Sequence, residues 1–377
     1  MGPIRLILHG MLVLACVAGL TLSRAHAASQ PAPRDPAHAP ALKELFGERF
    51  LVGGAIEPWQ LRHAADAALL KRHYNSITAE NVMKPRQIAP GEGRYRFGPA
   101  ERLVRFAEEN GMKVRGHTLL WHRSAPDWFF AGDRSDVNVW RARVRARLER
   151  YITDVVTHFK GKVYAWDVVN EVASDEPGQV YRESSPWYQA LGPDYIEYAF
   201  RAARAADPDV QLFINDYNTE HKDKRARLLT IVRDLQSKGV PLDGVGHQLH
   251  MQVGEDAQGT AEALREVAAL GLINHVTELD VSIYEDPVSC FRTRTGCRRD
   301  YRNAVPEEAL AAQAKLYGEL FAVFRDAPAL ESVTTWGISD GHTWLNRFPV
   351  TRTNLPLLFD RSRAPKEAFW KAVESAE

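Results

Sequence analysis

Short apolar segments rich in β-branched residues alternate along the chain with longer segments in which apolar residues recur at helical spacing. The short segments, each typical of a buried strand, are 50–56, 76–79, 113–117, 164–169, 210–215, 244–248, 275–280 and 333–338. The longer segments predict helices near 64–73, 99–110, 138–159, 193–206, 222–238, 260–270, 306–326 and 365–375. In the third of these, one helical face collects the apolar residues Trp140, Val144, Leu148, Tyr151, Ile152, Val155 and Phe159.

Strands and helices in strict alternation predict an α/β fold, in which a parallel sheet closes into a (β/α)8 TIM barrel. An open doubly wound sheet has the same alternation. However, no glycine-rich phosphate-binding loop follows any predicted strand, which removes the usual purpose of that fold. No segment has the composition of a linker, so residues 42–377 are expected to form one domain.

The N-terminal end differs from the rest of the chain. Arg5 precedes an apolar stretch over about residues 6–22, and an Ala-His-Ala tripeptide follows at 25–27. This layout predicts a secretory signal peptide over 1–27, and therefore a secreted or periplasmic protein. A membrane anchor and a lipoprotein site at Cys16 are the alternatives, but the stretch is short for a membrane span. Residues 28–41, rich in Ala and Pro, are expected to form a disordered leader.

The charge and aromatic content indicate an ordinary globular enzyme. The 377 residues carry 48 basic and 48 acidic side chains, and this neutral balance argues against a nucleic-acid partner. Several of the nine Trp lie in loop-like segments beside polar residues, where they suit stacking on flat ligands or, alternatively, capping of a core. We expect no nucleic-acid or membrane partner.

Cys290 and Cys297 are the only cysteines after the expected signal peptide, and they flank a polar, arginine-rich loop. In an oxidising compartment such a pair is expected to form a disulfide bond, with two free thiols as the alternative. No further Cys or His lies at metal-ligand spacing, so we predict no metal and no cofactor.

Polar and aromatic residues follow nearly every predicted strand. Because the carboxyl ends of barrel strands share one face, where active sites lie, these residues are expected to meet there. A merely solvated rim would favour Lys, Asp and Ser over the observed mixture. The residues are Glu80, Asn81, Lys84, His117, Trp121, His122, Asn170, Glu171, Asn215, Asp216, Tyr217, Gln248, His250, Glu278, Asp280 and Trp336.

Two carboxylates stand out in this set. Glu171 ends the string WDVVNE at 166–171, and Glu278 lies in the string TELD at 277–280. Each string contains or follows an apolar, β-branched run, so two strands would present two glutamates at one rim. A facing pair of carboxylates is the working part of most glycosidases.

These strings resemble those of family 10 glycoside hydrolases, which are endo-β-1,4-xylanases. The resemblance covers about residues 42–375 and keeps the family order, with one string per barrel strand. The matching strings are TAENVMK at 78–84, RGHTLLWH at 115–122, WDVVNE at 166–171, NDYN at 215–218, GHQLH at 246–250, TELD at 277–280 and WGISD at 336–340.

The resemblance implies a retaining mechanism, in which Glu171 is the general acid/base and Glu278 the nucleophile. Such carboxyl groups stand about 5–5.5 Å apart, and their pKa values must differ because one is protonated while the other is ionised. Asn170 would bond the 2-hydroxyl of the sugar under attack. Asp280 and His250 would form a hydrogen-bonded chain that positions the Glu278 carboxylate.

The remaining roles implied by the resemblance concern substrate binding by a monomeric enzyme acting on xylan or xylo-oligosaccharides. Subsites are numbered negatively on the glycone side of the cleaved bond. The residues that line the −1 subsite would be His117, Trp121, Lys84 and Gln248, those at −2 Glu80 and Asn81, and the walls Trp336 and Trp344. For His117 and His250 the alternative is a buried structural imidazole.

The sequence departs from the family pattern at two positions, and three other functions are alternatives. Pro85 follows Lys84 where the family has a residue with a backbone N–H, and Ser124 stands where it has a Gln that contacts the −2 sugar. We expect weaker −2 binding from Ser124, because its side chain is too short to reach the sugar. The other functions are a non-catalytic carbohydrate-binding barrel, a metal-dependent hydrolase and a retaining glycosidase for another β-linked glycan.

Overall fold

The computed structural model describes Gly2, residues 35–302 and residues 304–376. The predicted signal peptide and the leader up to residue 34 therefore lie, Gly2 apart, outside the described residues. The chain divides into a first unit ending at His38 and a second that runs from Ala39 to the C-terminus. Within the described residues, no helix combines the length and the apolar character needed to cross a membrane.

The second unit is built on parallel strands, as predicted. Each predicted strand is present, with bounds that shift by a few residues. Within the described residues the strands are β1 Leu51–Ile56, β2 Ser76–Ala79, β3 Lys113–Gly116, β4 Leu120–Trp121, β5 Ala165–Asn170, β6 Gln211–Asp216, β7 Gly244–His247, β8 His250–Gln252, β9 Ile273–Ser282 and β10 Leu330–Thr335.

The sheet closes on itself. Parallel pairing runs from β1 through β2, β3, β5, β6, β7 and β9 to β10, and β10 pairs in turn with β1. The short strands β4 and β8 pair with the C-terminal ends of β5 and β9. The result is the predicted (β/α)8 barrel, and an open doubly wound sheet is excluded by the β1–β10 pairing.

Every predicted helix is also present. The short helices α1, α3, α6 and α10 were not predicted, because segments of four to six residues are too short to show a helical period. In the described part of the chain the helices are α1 Leu42–Leu45, α2 Ala64–His73, α3 Pro85–Ile88, α4 Gly98–Glu109, α5 Val137–His158, α6 Pro186–Leu191, α7 Tyr195–Ala206, α8 Lys222–Ser237, α9 Gln258–Ala268, α10 Val288–Thr293, α11 Glu307–Asp326 and α12 Glu367–Glu374.

Helix α5 shows why these elements form where they do. All seven apolar residues that the sequence places on one face of this helix or at its end are buried. At its N-terminus, the Asp136 carboxylate accepts hydrogen bonds from the backbone N–H groups of Asn138 and Val139 at 2.9 and 3.2 Å. These bonds satisfy donors that have no partner inside the helix.

A buried ion pair lies inside the barrel. The guanidinium of Arg115 on β3 donates to both carboxylate oxygens of Asp167 on β5, and both side chains are essentially inaccessible to solvent. Arg115 Nε also donates to His275 Nδ1 at 3.2 Å, and the Phe213 ring stacks on His275 with a centroid distance of 4.0 Å. Burial and the charge of Arg115 lower the pKa of His275 well below its ordinary value, so this imidazole is neutral.

The predicted disulfide between Cys290 and Cys297 is present and closes the loop that begins with α10, after β9. This loop is connected to the barrel rim through aromatic contacts. The Arg294 guanidinium lies 4.5 Å from the ring centre of Phe348, and Phe348 stacks on Trp344 with a centroid distance of 4.8 Å.

We expect Arg115→Met to lower the free energy of unfolding by about 3–5 kcal/mol, because Asp167 would retain a buried charge without its cation. Urea unfolding at neutral pH measures the change. The control is Arg141→Met on the exposed side of α5, which should change the free energy by less than about 0.5 kcal/mol. Equal losses in the two variants would contradict the assigned importance of the pair.

We expect the Cys290–Cys297 bond to be complete in the protein as isolated from an oxidising compartment. Protein beginning at residue 28 should take up no alkylating agent before reduction and two equivalents after it, as seen by intact mass. The closed loop is short, so the Cys290→Ser/Cys297→Ser variant should lose on the order of 2–3 kcal/mol at most. Two thiols that react before reduction would contradict the bond.

Candidate active site

The predicted site residues meet at the C-terminal ends of the barrel strands. Glu171 directly follows β5, and Gln248 directly follows β7. Glu278 lies in the middle of β9, because this strand continues to Ser282 by pairing with β8, where His250 faces Asp280. The rim therefore carries both glutamates on different strands, as the sequence predicted.

The two carboxylates are joined by a short series of side-chain amides. Asn215 Nδ2 donates to Glu278 Oε1 and to Asn170 Oδ1, both at 2.9 Å. Asn170 Nδ2 lies 3.3 Å from Glu171 Oε1, and Gln248 Nε2 lies 3.4 Å from the same oxygen. This arrangement fixes the two carboxylates relative to each other at the rim.

Asn215 lies in a matching string, but no role was predicted for it. It is fully buried, and Thr277 Oγ1 donates to its Oδ1 at 2.8 Å. A Cβ atom at Gly246 on the neighbouring strand would lie 2.3 Å from Asn215 Oδ1, so only glycine leaves room for this amide. The functional signal for Asn215 was its position at the end of a strand in the NDYN string.

Glu278 is held in its ionised form. Burial alone would raise the pKa of this carboxyl, but its electrostatic interactions with His117, His250 and Lys84 and its hydrogen bond with His250 outweigh burial and hold the pKa below its ordinary value of 4.5. His250 Nε2 lies 3.2 Å from Glu278 Oε2, and His117 Nδ1 lies 3.9 Å from Oε1. An ionised carboxylate of this kind can act as a nucleophile.

Glu171 is held in its protonated form to a higher pH. Burial raises the pKa of this carboxyl above 4.5, and the negative charges of Asp216 and Glu278 add to the effect. The Trp121 indole favours the ionised form of Glu171 but is outweighed. His122 Nε2, 3.9 Å from Glu171 Oε2, is neutral because burial lowers the pKa of His122 to about 3.

The backbone at Glu171 is also unusual. Its φ of 60° is in the left-handed region, which a residue with a side chain adopts only when its surroundings enforce it. The Glu171 N–H donates to the Asn215 carbonyl at 2.8 Å, and Arg182 Nε donates to the Glu171 carbonyl at 2.7 Å. Arg182, which the sequence did not single out, thus helps to direct the Glu171 side chain into the cleft.

Behind the nucleophile, His250 lies between Glu278 and Asp280. His250 Nδ1 lies 3.2 Å from Asp280 Oδ1, and Trp344 Nε1 donates to Asp280 Oδ2 at 2.7 Å. Burial alone would lower the pKa of His250, but Asp280 and Glu278 raise it to about 10, so this imidazole is cationic at neutral pH. Trp344 therefore has a positioning contact in addition to its predicted place in the wall.

His117 has a similar support from the barrel interior. Its Nδ1 lies 2.9 Å from Asp167 Oδ2, so the buried Arg115–Asp167 pair also anchors this imidazole. Burial would raise the pKa of Asp167, but Arg115 and His117 hold it below its ordinary value. His117 also packs edge-on against Trp336, with ring centroids 5.2 Å apart.

A second polar group lies beside the first, formed by the predicted −2 residues. Asn81 Nδ2 donates to Glu57 Oε1 at 2.6 Å, and Lys84 Nζ donates to Asn81 Oδ1 at 2.9 Å. Glu80 Oε2 lies 3.0 Å from His342 Nε2, and this contact raises the pKa of His342. Glu57 and His342 were not predicted, because neither lies in a matching string.

Lys84 connects the two groups. Its Nζ lies 5.0 Å from the ring centre of Trp121 and 5.7 Å from that of Trp336, so aromatic faces flank the ammonium. Burial lowers the pKa of Lys84 from its ordinary value, against the opposing effect of Glu278, Glu80, Glu171 and Glu57. The cleft thus combines aromatic walls, a cation and hydrogen-bonding groups, as a sugar-binding site requires.

The two departures from the family pattern are adjacent in the structure. Pro85 begins helix α3, where a missing N–H costs nothing because the first helical N–H groups have no partner in the helix. Ser124 is buried, and its Oγ accepts a hydrogen bond from the Arg86 backbone N–H at 3.2 Å. A Gln at 124 would displace this contact, so the shortness of Ser124 is matched to the start of α3. Weaker −2 binding stays a prediction.

The residues from 35 onward that the structure describes contain no group of three or more His, Cys, Asp or Glu side chains placed to hold a metal ion. The rim histidines form ion-pair contacts with carboxylates. His250 contacts Glu278 and Asp280, and His117 contacts Asp167.

Known proteins of the same kind match this chain over most of its length. A "Thermostable celloxylanase" of Thermoclostridium stercorarium is 43% identical over 371 residues, which cover 94% of this chain and 93% of that protein. A "Beta-1,4-xylanase" of Dictyoglomus thermophilum is 43% identical over 340 residues, covering 89% and 91%.

A solved structure and a family model agree with these relatives. The crystal structure of xylanase B from Clostridium stercorarium F9 superposes with a TM-score of 0.83 at 44% identity, covering 89% of this chain and 99% of that one. The sequence model for glycosyl hydrolase family 10 matches residues 41–375. The chain therefore belongs to glycosyl hydrolase family 10.

Proposed function

We propose that this protein is a retaining endo-β-1,4-xylanase, which cleaves internal β-1,4-xylosidic bonds of xylan by double displacement. The observation that carries the proposal is the pair of rim glutamates joined through Asn170 and Asn215, with the pKa of Glu171 displaced upward and that of Glu278 downward. An acid and a nucleophile in one cleft require this difference. The names of the family members that the chain matches supply the substrate class.

In the first step, a Glu278 carboxylate oxygen attacks the anomeric carbon of the sugar at −1. The bond to the leaving glycosidic oxygen breaks, and that oxygen receives the proton of Glu171. The product is a glycosyl ester of Glu278 with inverted configuration, while Glu171 is left ionised. The amides of Asn170 and Asn215 hold the two carboxyl groups during this exchange.

In the second step, water attacks the same carbon from the face that the leaving group vacated. The ionised Glu171 removes a proton from this water, and the ester bond to Glu278 breaks. Once Glu278 is esterified its negative charge is gone, so one contribution that raises the pKa of Glu171 disappears. This makes the proton easier to lose and suits Glu171 to its second role. Two inversions give net retention.

The remaining predicted residues bind the substrate or position the nucleophile in this proposal. Asn170 donates to the 2-hydroxyl at −1, in a bond that strengthens in the transition state and so lowers the barrier. The cationic His250 and Asp280 orient Glu278. The other −1 contacts are His117, Trp121, Lys84 and Gln248, those at −2 are Glu80 and Asn81, and Trp336 and Trp344 form the wall.

The second candidate is a retaining glycosidase of the same fold that acts on another β-linked glycan or on short xylo-oligosaccharides. One matching relative is named a celloxylanase, which favours keeping this candidate. A product profile on xylan, cellulose and an aryl xylobioside separates the two. Random internal cleavage of xylan supports the first, and faster hydrolysis of cellulose or of short oligosaccharides supports the second.

We also propose that the enzyme is exported as a monomer after loss of residues 1–27, to the periplasm or the medium. The disulfide Cys290–Cys297 is consistent with an oxidising compartment. N-terminal sequencing of the protein recovered from each compartment of the host tests the cleavage and the destination.

We expect Glu171→Ala and Glu278→Ala each to abolish xylan hydrolysis with the fold intact. On an aryl xylobioside with a good leaving group, azide should rescue both variants but give opposite products. In Glu171→Ala azide attacks the glycosyl ester and gives the β-azide, whereas in Glu278→Ala it replaces the nucleophile and gives the α-azide. Proton NMR of the products measures the configuration. The same configuration from both variants would contradict the two roles.

We expect His250→Gln to move the acidic limb of the pH profile of kcat/KM to higher pH. The pKa of Glu278 lies below 4.5 partly because His250 is cationic, so loss of this charge raises that pKa and the nucleophile is protonated at higher pH. The basic limb, which follows loss of the Glu171 proton, should move less. His158→Gln, distant from the rim on α5, is the control. An unchanged acidic limb in His250→Gln would contradict the assignment.

A further inference from the structure

A second cavity of about 480 Å³ lies beside the −2 residues. It is bounded by the loop after β1, the loop after β2 and the outer side of α4. Trp59, Val82 and Phe106 supply apolar walls, and Trp59 is 37% exposed, which is high for so large an apolar side chain. The cavity is therefore not part of the packed core.

The rim of this cavity is strongly basic. Arg62, Arg102 and Arg105 line it, against Glu109 as the one acidic lining residue in the part of the chain that is described. Arg102 and Arg105 are three positions apart on α4, so they project from the same side of the helix. The side chains of all three arginines are exposed and form no ion pair with a described residue.

These three arginines line one cavity, and no ion pair with a described residue offsets their charge. Elsewhere on the described surface Arg145, Arg150 and Arg201 each pair with a glutamate. Like charges that crowd one cavity repel one another, and an anion placed between them removes the repulsion. Guanidinium groups match the geometry of a carboxylate, and an exposed indole suits stacking on a sugar ring.

The residues that line the cavity are neighbours of the predicted −2 residues. Val82 follows Asn81 in the chain, and Trp59 lies in the loop that also carries Glu57, whose carboxylate accepts from Asn81. The Trp59 ring packs edge-on against His342, with centroids 5.1 Å apart, and His342 contacts Glu80. A group attached to the glycone side of a bound chain would therefore lie close to the cavity.

We propose that this cavity binds a carboxylate-bearing sugar branch, a uronate, on the glycone side of the polysaccharide substrate. The arginines recognise the carboxylate, and Trp59 contacts the ring of the branch. This inference rests on the proposed action on xylan. It adds to that action a preference for acidic branches, which a neutral cleft would not provide.

The test compares a glucuronate-bearing xylan with the same polymer after its carboxyl groups have been reduced to alcohols. In the wild-type enzyme, kcat/KM should be higher on the acidic polymer. Arg102→Gln/Arg105→Gln should lower the ratio of the two values by about 2- to 10-fold, which is the range for one or two exposed ion pairs. Arg141→Gln, an exposed arginine on α5, is the matched control and should keep the wild-type ratio.

Salt provides a second readout. In about 1 M NaCl the screening length falls to ~3 Å, so the wild-type ratio should approach that of the double variant. Trp59→Ala should lower kcat/KM on both polymers to a similar extent, because the sugar branch keeps its ring after reduction. These two results together separate recognition of the carboxylate from recognition of the sugar.

The outcomes distinguish this inference from the proposed function. If both polymers are cleaved and the double variant keeps the wild-type ratio, the uronate site is wrong while the xylanase proposal stands. An equal fall on both polymers would also overturn it. If neither polymer is cleaved, the xylanase proposal fails. The uronate site is then tested by electrophoresis of Glu171→Ala protein, with and without the two arginine substitutions, through gels that contain either polymer. Equal retardation of both proteins by both polymers would refute the uronate site.

Discussion

A carboxyl group that is removed from water is costly to ionise unless cations or hydrogen-bond donors face it. The active site depends on the fact that Glu278 has such partners and Glu171 has fewer of them. Glu278 faces His117, His250 and Lys84, and therefore ionises readily despite its burial. Glu171 is largely buried beside a neutral His122, and the negative charges of Asp216 and Glu278 raise its pKa further. The same rim thus holds an acid and a nucleophile, which are joined through the amides of Asn170 and Asn215.

Buried interactions of the barrel, below the rim, hold in place the imidazoles that lower the pKa of Glu278. The Arg115–Asp167 pair, inaccessible to solvent, holds His117 in contact with the site, and Asp280 does the same for His250. Asp280 is in turn bonded by Trp344, which stacks on Phe348 beside the disulfide loop. Stability and function therefore share residues here, since the interactions that anchor the imidazoles are also buried interactions of the fold.

The barrel and most of the site follow from the sequence, because buried strands and helical periodicity are local signals and because the matching strings include Glu171, Glu278, His250 and Asp280. The sequence does not show which side chains from distant parts of the chain contact one another. Glu57 and His342 lie outside every string, and Arg182 reaches the Glu171 carbonyl from a loop without periodicity. Ser124 was expected to be merely too short for the sugar, whereas it accepts a hydrogen bond from the start of α3.

The most direct test of this account is a measurement of the two carboxyl pKa values by NMR of enzyme labelled with ¹³C at the glutamate side chain, assigned with Glu171→Gln and Glu278→Gln. In the free enzyme we expect Glu278 to titrate below 4.5 and Glu171 above it. When Glu278 is esterified by a slowly hydrolysed fluorinated glycoside, the pKa of Glu171 should fall. Equal values, the reverse order, or no fall on esterification would contradict the claim that the unequal surroundings of the two glutamates set their roles.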